Sequence, residues 1–231
     1  GGQFLTAGEA PRKKEMKAAA ISMAKKAERL GVDIRMNTKV TPEMIEEIKP
    51  HTVMNAIGAE SIIPPIPGVD KAFVKDSHDV LDGKAEATGN VVVIGGGMVG
   101  METAEYLAEK GAKVSVLEML PDICSDMGTT RKICMGEEIQ KSGIIPVTSI
   151  KVTEIGDNVV IGEKDGEKVE FPCDTAVLAI GAKKRDGSAL AETCYKNGIG
   201  YFEIGDAAMA RRAINATREA MDAALTFDRE D

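Results

Sequence analysis

The features that usually mark a catalytic, metal-binding or membrane-bound protein are scarce in this sequence. Its 231 residues include only two histidines, His51 and His78, and neither stands in a context that indicates acid–base catalysis, so no catalytic side chain is predicted. Four cysteines are spread without CxxC or CxxxxC spacing, which argues against a metal or iron–sulfur site. They fit ordinary thiols of a reducing compartment: Cys124, Cys134, Cys173 and Cys194.

Positive charge and long apolar runs are also lacking. Lys and Arg number 29 against 37 Asp and Glu, a net charge of −8, which argues against a nucleic-acid-binding surface. No apolar run approaches the roughly 18 residues of a membrane span, and no signal peptide is visible. We therefore expect a cytoplasmic protein of one or two domains that binds neither nucleic acid nor a membrane.

A glycine-rich unit is the most informative segment that the sequence does contain. The β-branched apolar run 91–94 leads directly into a GxGxxG motif formed by Gly95, Gly97 and Gly100. The first glycine permits a tight turn, the second lets a pyrophosphate approach the backbone, and the third lets the following helix pack closely. The helix N-terminus offers N–H groups to the phosphates. This unit predicts a dinucleotide site; the alternative is a glycine-rich turn without a ligand.

An acidic residue at the end of the next strand bears on which dinucleotide binds. Glu118 follows Gly95 by 23 residues (118 − 95), close to the roughly 20 expected for the ribose-binding acid. A carboxylate there accepts hydrogen bonds from ribose hydroxyls and repels the 2′-phosphate of NADP, and no basic residue follows before Arg131. The pattern favours NAD(H) over NADP(H). The alternative is that Glu118 is only a solvated acid at a strand end.

A short internal repeat indicates how the domains are arranged. The tetrapeptide Ala-Ile-Gly-Ala ends two apolar runs, at residues 56–59 and 179–182, one before the glycine-rich unit and one after it. Prolines stiffen an extended segment after the first copy. We interpret the two copies as the points where the chain leaves one domain and returns to it, so that a second domain is inserted between them.

Together these motifs resemble the flavoprotein fold with two dinucleotide-binding domains. In that fold, a Rossmann-like NAD domain with a parallel sheet and a β-meander is inserted into an FAD-binding Rossmann-like domain. The resemblance implies an α/β fold with FAD-domain parts at residues 1–68 and 182–231 and an NAD(H)-binding domain at residues 69–181. The GGQF start and the GDAA segment near the end are similar to the reductase portion of 2-enoate reductase and 2,4-dienoyl-CoA reductase.

The resemblance also implies cofactor contacts and partners. NAD(H) and FAD are the expected cofactors, and an upstream domain with FMN and an iron–sulfur cluster is the expected electron-accepting partner. In relatives an acid equivalent to Glu102 lies near the nicotinamide, although Glu102 equally fits a first-turn acid favoured by the helix dipole. The residues predicted to contact the two cofactors are Gly2, Gln3, Gly95, Gly97, Met98, Val99, Gly100, Glu102, Glu118, Gly181, Gly205 and Asp206.

One part of the resembled fold has no counterpart in this sequence. The first strand and glycine-rich turn, which hold the ADP half of FAD, would precede Gly1, so the sequence is interpreted as an N-terminally truncated fragment. The first two glycines could instead be left from expression. We therefore expect a chain that binds NADH but is colourless and inactive by itself. The alternatives are an NAD-binding module without redox turnover and a disulfide reductase, which the cysteine spacing argues against.

The remaining secondary structure follows from periodicity and turn residues. The basic cluster at residues 12–14 is interpreted as a solvated helix start, with a docking face as the alternative. Residues 159–162 and 168–171 predict a hairpin around Asp165-Gly166. Residues 32–36 predict a strand, and helices are predicted at residues 11–30, 42–48, 131–142, 188–196 and 209–225.

Overall fold

The computed structural model describes residues 1–227. Its helices are α1 Gln3–Ala7, α2 Lys14–Arg29, α3 Pro42–Ile48, α4 Ser77–Leu81, α5 Met98–Glu109, α6 Thr129–Ser142, α7 Ser188–Lys196 and α8 Ala213–Phe227, with a 3₁₀ turn at Gly205–Ala207. Its strands are β1 Thr52–Asn55, β2 Ala59–Ser61, β3 Val74–Asp76, β4 Asn90–Ile94, β5 Lys113–Leu117, β6 Ile145–Val147, β7 Lys151–Ile155, β8 Val159–Lys164, β9 Glu167–Pro172, β10 Thr175–Leu178, β11 Ala182–Lys184 and β12 Gly200–Glu203. No helix within residues 1–227 combines the length and the apolar character needed to cross a bilayer.

The chain forms two compact units. Unit 1 comprises residues 1–24 and 61–181, and unit 2 comprises residues 25–60 and the described residues from 182 onwards. A unit boundary thus lies at residue 181, as in the predicted domain division, but the other boundaries differ. Residues 1–24 lie with unit 1 because Arg12 and Lys13 form ion pairs with acidic residues of α5. The assignment of FAD and NAD(H) to the two domains stays a prediction.

Unit 1 is built on a five-stranded parallel sheet. Its strand order is β3-β10-β4-β5-β6, and all neighbouring pairs run parallel. The central strand β4 is buried on both faces: Val91 and Val93 pack in the cluster that contains Met101 of α5, while Val92 and Ile94 pack in a cluster with strands of the meander. A strand that is buried on both faces has apolar residues at consecutive positions, as residues 91–94 do.

An antiparallel meander, β7-β8-β9, completes unit 1. Asp165 and Gly166 join β8 to β9 with φ values of 54° and 82°. Positive φ at both central residues is the geometry that favours Asp-Gly in a two-residue hairpin. The predicted hairpin is confirmed, and so is the α/β fold with a parallel sheet and a β-meander.

Unit 2 contains two small sheets. Strand β1 pairs in parallel with β12, and β11 pairs with β2. The strand predicted at residues 32–36 is wrong, because none of these residues forms a ladder with another described strand and an unpaired strand leaves its backbone groups without partners. Its apolar side chains stay exposed: 55% of Val32, 41% of Ile34 and 75% of Met36.

The last predicted helix begins later than expected. Residues 209–212 are not helical, and α8 runs Ala213–Phe227. The cause is local, because the N–H of Arg211 donates to the Asp206 carboxylate at 3.0 Å instead of to a helical carbonyl. Asp206 therefore stabilises a loop between the 3₁₀ turn and α8. The other predicted helices are confirmed within a few residues at each end.

Candidate functional site

The glycine-rich turn between β4 and α5 has almost no room for side chains. Gly95 has φ 109°, and a Cβ atom there would collide with the carbonyl oxygen of Ala179. A Cβ at Gly100 would collide with the carbonyl oxygen of Gly95. Both positions therefore require glycine for steric reasons. These contacts also place the second Ala-Ile-Gly-Ala copy, which includes Ala179 and Gly181, against the turn.

The N-terminus of α5, which follows the turn, receives no hydrogen bond from the side chain of its own N-cap residue. Gly97 is its N-cap residue, with φ −72° and no side chain to cap the helix. The first helical residues, Met98 and Val99, are half-buried. The first N–H groups of an α-helix have no partner within the helix and carry the positive end of its dipole. A tight glycine turn followed by a helix N-terminus is an arrangement that can accept the pyrophosphate of a dinucleotide.

Glu118 reaches back from the end of β5 to this turn. Its Oε2 accepts a hydrogen bond from the N–H of Gly96 at 2.6 Å, and its Oε1 accepts one from the N–H of Leu120 at 2.7 Å. Backbone donors on both oxygens hold the carboxylate in one orientation beside the glycine turn. The predicted ribose-binding acid is thus brought together with the predicted phosphate-binding turn, 22 residues away in sequence.

Asp126 also lies at this turn, although no sequence pattern indicates a role for it. The N–H of Met98 donates to the two oxygens of its carboxylate, at 2.9 Å and 3.1 Å. The bonded group is the first N–H of α5. A carboxylate is a favourable partner for a helix N-terminus. A spacing rule could not have found Asp126, because it lies in an irregular segment 28 residues after Met98.

Glu102 lies in a buried ionic cluster of unit 1. Only 5% of Glu102 is exposed, and Glu105, one turn later on α5, is fully buried. Glu102 forms an ion pair with Lys13 and lies 3.9 Å from Arg131. Arg12 pairs with Glu105 and, at 2.8 Å, with Glu138. The interpretation of residues 12–14 as a solvated helix start is therefore wrong for Lys13, which is mostly covered, whereas Arg12 stays half exposed although it pairs with a buried carboxylate.

The residues predicted to contact flavin are divided between the two units. Gly2 and Gln3 belong to unit 1, where Gly2 has φ 46° and caps the short helix α1. Gly205 and Asp206 belong to unit 2. Gly205 has φ 61°, and its N–H donates to Oε2 of Glu219 at 2.8 Å. Gly205 and Asp206 thus both have hydrogen-bond partners within unit 2.

Gly181 ends the repeat at the edge of unit 1. It has φ 106°, and its carbonyl oxygen accepts a hydrogen bond from the N–H of Ile62 at 3.0 Å. Ile62 lies three residues after the first Ala-Ile-Gly-Ala copy, so the bond joins the second copy to the segment that follows the first. The paired arrangement of the repeat was the basis for predicting an inserted domain.

The four cysteines are free thiols, and three of them are buried. Burial raises the pKa of Cys124 and of Cys173 to about 11, and burial also raises the pKa of Cys194. Cys134 is exposed. Reactive thiols have lowered pKa values, so the three buried cysteines have the opposite character. Within residues 1–227, no group of three or more His, Cys, Asp and Glu side chains is placed to hold a metal ion.

His78 is held by neighbouring polar groups rather than poised for proton transfer. Its Nδ1 lies 3.1 Å from Oγ of Ser61 and 3.4 Å from Oδ1 of Asp76. The hydrogen bond with Asp76 raises the pKa of His78, against the effect of burial. Burial alone would raise the pKa of Asp76, but hydrogen bonds from His78 and Ser61 hold it at about 2. His51 is exposed.

Comparison with known proteins gives a family and a set of relatives. The family model that matches residues 13–206 is that of the pyridine nucleotide-disulphide oxidoreductases. Bilirubin reductase of Mediterraneibacter gnavus is 42% identical over 79% of this chain, and NADH oxidase of Thermoanaerobacter brockii is 38% identical over 94%. This chain covers 28% and 34% of their respective lengths, so it spans about a third of these relatives.

The solved structures agree with this result. A 2-naphthoyl-CoA reductase in complex with 2-naphthoyl-CoA matches 95% of this chain with a TM-score of 0.88 and 28% identity. The match covers 33% of the 2-naphthoyl-CoA reductase chain. The similarity therefore extends through both compact units and again corresponds to one part of a longer protein.

Proposed function

The chain belongs to the pyridine nucleotide-disulphide oxidoreductase family, and from this premise we propose that it is the pyridine-nucleotide:flavin oxidoreductase module of a longer enzyme. Members of this family use FAD and NAD(H). In the proposed role, NADH binds in unit 1 and FAD accepts the hydride. The chemistry is that of the cofactors, so the protein has to bind and orient them rather than supply an acid or a base.

The arrangement of Gly95, Gly100 and Glu118 carries this proposal. The two glycines admit a backbone turn that no other residue fits, and the helix that follows presents its N–H groups. Glu118 is fixed beside the same turn by the N–H of Gly96. A ligand with a pyrophosphate and a neighbouring ribose matches both features at once. The chain's own residues therefore fit a dinucleotide.

The charge of Glu118 supports NADH as the electron donor. Its carboxylate can accept hydrogen bonds from ribose hydroxyls, whereas the extra phosphate of NADPH would lie against a negative charge. Arg131, the first basic residue after Glu118, lies near Glu102 and Glu105, at 3.9 Å and 4.0 Å. It is thus engaged in the buried ionic cluster, which argues against its serving as the partner of a 2′-phosphate.

The electron acceptor is proposed from the relatives. Bilirubin reductase and 2-naphthoyl-CoA reductase are both reductases by name, and the matched part covers 28% and 33% of their respective lengths. We infer that electrons pass from this module to an upstream domain with FMN and an iron–sulfur cluster, as in the 2-enoate reductase group. The absence of bound FAD from the isolated chain stays a prediction. Stoichiometric flavin absorbance in the purified chain would contradict it.

Some relatives are dihydrolipoyl dehydrogenases, and their similarity raises the alternative of disulfide chemistry. That chemistry needs a thiolate as the nucleophile. Three of the four thiols here are buried with raised pKa values, and Cys134 is the exposed one. The cysteines therefore favour a module that passes electrons through flavin without a disulfide.

A titration with NADH tests the proposal, with Gly97→Val as the informative variant. Because Gly97 has a negative φ and a Cβ there would lie 3.4 Å from its nearest neighbour, the Asp126 carboxylate, the backbone can carry a side chain at this position. The branched side chain of valine would nevertheless stand where the pyrophosphate approaches. We expect NADH binding by the wild type and at least about tenfold weaker binding by the variant. Equal binding by both, with unchanged thermal unfolding, would contradict the proposed site.

A further inference from the structure

An irregular segment crosses the glycine-rich turn and contacts it through three of its residues. The N–H of Cys124 donates to the carbonyl oxygen of Gly96 at 2.8 Å, and the carboxylate of Asp126 accepts from Met98. Ile123 packs so closely that its Cγ2 lies 3.0 Å from where a Cβ at Gly96 would stand. The contacting part of this segment, residues 121–128, is called the strap below.

The most consequential contact of the strap is that of Asp126. Its two oxygens accept the N–H of Met98 at 2.9 Å and 3.1 Å, at the positive end of the α5 dipole. A pyrophosphate at a glycine-rich turn uses the same first-turn N–H groups. The two anionic groups cannot share that N–H, and at close range they repel one another.

We propose that Asp126 occupies the phosphate subsite of the dinucleotide site and has to withdraw before NAD(H) binds. The inference rests on the proposed function and deepens it, because it identifies a residue that sets the affinity of the site. A site that is open only part of the time has an apparent affinity reduced by the open fraction. Asp126 thus competes with the phosphates as an internal anion.

The strap has features that suit withdrawal. It contains no helix or strand, and Cys124 has φ 55°, a region disfavoured for residues other than glycine. Asp126 itself is exposed, in contrast to the buried Cys124. Cys124 is buried in the apolar cluster of unit 1 and Ile123 packs against it, so these residues keep the strap on the turn. Withdrawal is therefore a movement of the Asp126 side chain, whose contact with Met98 a ligand anion can replace.

Asp126→Ala and Asp126→Asn test the inference, with Asp122→Asn as the matched control. Asp122 lies in the same strap, but its side chain is exposed and pairs with Lys132, away from the turn. Removing one carboxylate from a helix N-terminus changes an anion's interaction there by roughly 3- to 30-fold. We expect both Asp126 variants to bind NADH tighter by about that factor, and the control to bind like the wild type.

Calorimetric titrations with ADP-ribose and with NADH show which part of the ligand responds to the Asp126 substitutions. ADP-ribose carries the same pyrophosphate and lacks the nicotinamide, so the proposal predicts an equal gain for both ligands. A gain confined to NADH would overturn it, as would unchanged or weaker binding in both Asp126 variants while the wild type binds. Failure of the wild type and all variants to bind either ligand would instead contradict the proposed function.

Without ligand, Asp126→Ala should unfold at a lower temperature because a helix cap is lost.

Discussion

The carbonyl oxygen of Gly95 lies where a Cβ atom at Gly100 would have to stand. This contact holds the first turn of α5 against the end of β4. The side chain of Ala179, the residue after β10, also lies next to the position of that Cβ. The third glycine of the motif therefore has a packing role that can be tested without any ligand.

Gly100→Ala is expected to destabilise the protein, because the added methyl meets backbone atoms that cannot move aside. Overpacking of this kind costs about 1–3 kcal/mol of unfolding free energy. Gly136→Ala in α6 is the matched control, since a Cβ there meets nothing within 4 Å. That change should stabilise by about 0.5–1 kcal/mol through helix propensity. Urea unfolding monitored by circular dichroism checks both, and a Gly100→Ala variant as stable as the control would contradict the packing.

Local sequence patterns predicted those parts of the fold that local physics determines. The apolar run of β4, the GxGxxG spacing and the Asp-Gly hairpin each reflect a steric or burial requirement of neighbouring residues. The position of Glu118 beside the turn could be predicted because its distance from the motif follows from one strand–helix–strand unit. These features needed no knowledge of the rest of the chain.

Contacts between residues far apart in the sequence could not be predicted from local patterns. The pairing of Lys13 with Glu102 joins residues 89 positions apart (102 − 13), and no pattern near Lys13 indicates it. Likewise, no local pattern indicates the hydrogen bond from the N–H of Met98 to the Asp126 carboxylate. The strand predicted at residues 32–36 failed for a related reason, because alternation shows that a segment can be a strand but not whether a neighbouring strand is available to pair with it.

The pair of His78 and Asp76 predicts a pH dependence of stability. The pKa of His78 is raised above its ordinary 6.5, so its contribution is complete below about pH 6.5 and is lost as the pH rises through the folded-state value. Asp76, with a pKa near 2, stays ionised throughout this range. The stability difference between wild type and His78→Gln should therefore shrink as the pH rises above about 6.5. Urea titrations across that range check it, and a difference that grows with pH would contradict it.

Thiol reactivity tests the assignment of the cysteines. An aromatic disulfide reagent should modify Cys134 rapidly in the native protein, because it is exposed. Cys124, Cys173 and Cys194 should react slowly until the protein unfolds, because they are buried and their pKa values are raised. Replacing all four with Ser should leave NADH affinity unchanged, with modest stability losses at the buried positions. Rapid native modification of two or more thiols would contradict this assignment.

The most direct test of the dinucleotide site compares NADH with NADPH by fluorescence titration of the wild type and of Glu118→Arg. Because the Glu118 carboxylate is held beside the glycine turn by Gly96, the wild type should bind NADH at least several-fold tighter than NADPH. Reversing the charge should narrow or reverse that preference. Equal affinity of the wild type for the two nucleotides, or a preference that Glu118→Arg leaves unchanged, would contradict the account.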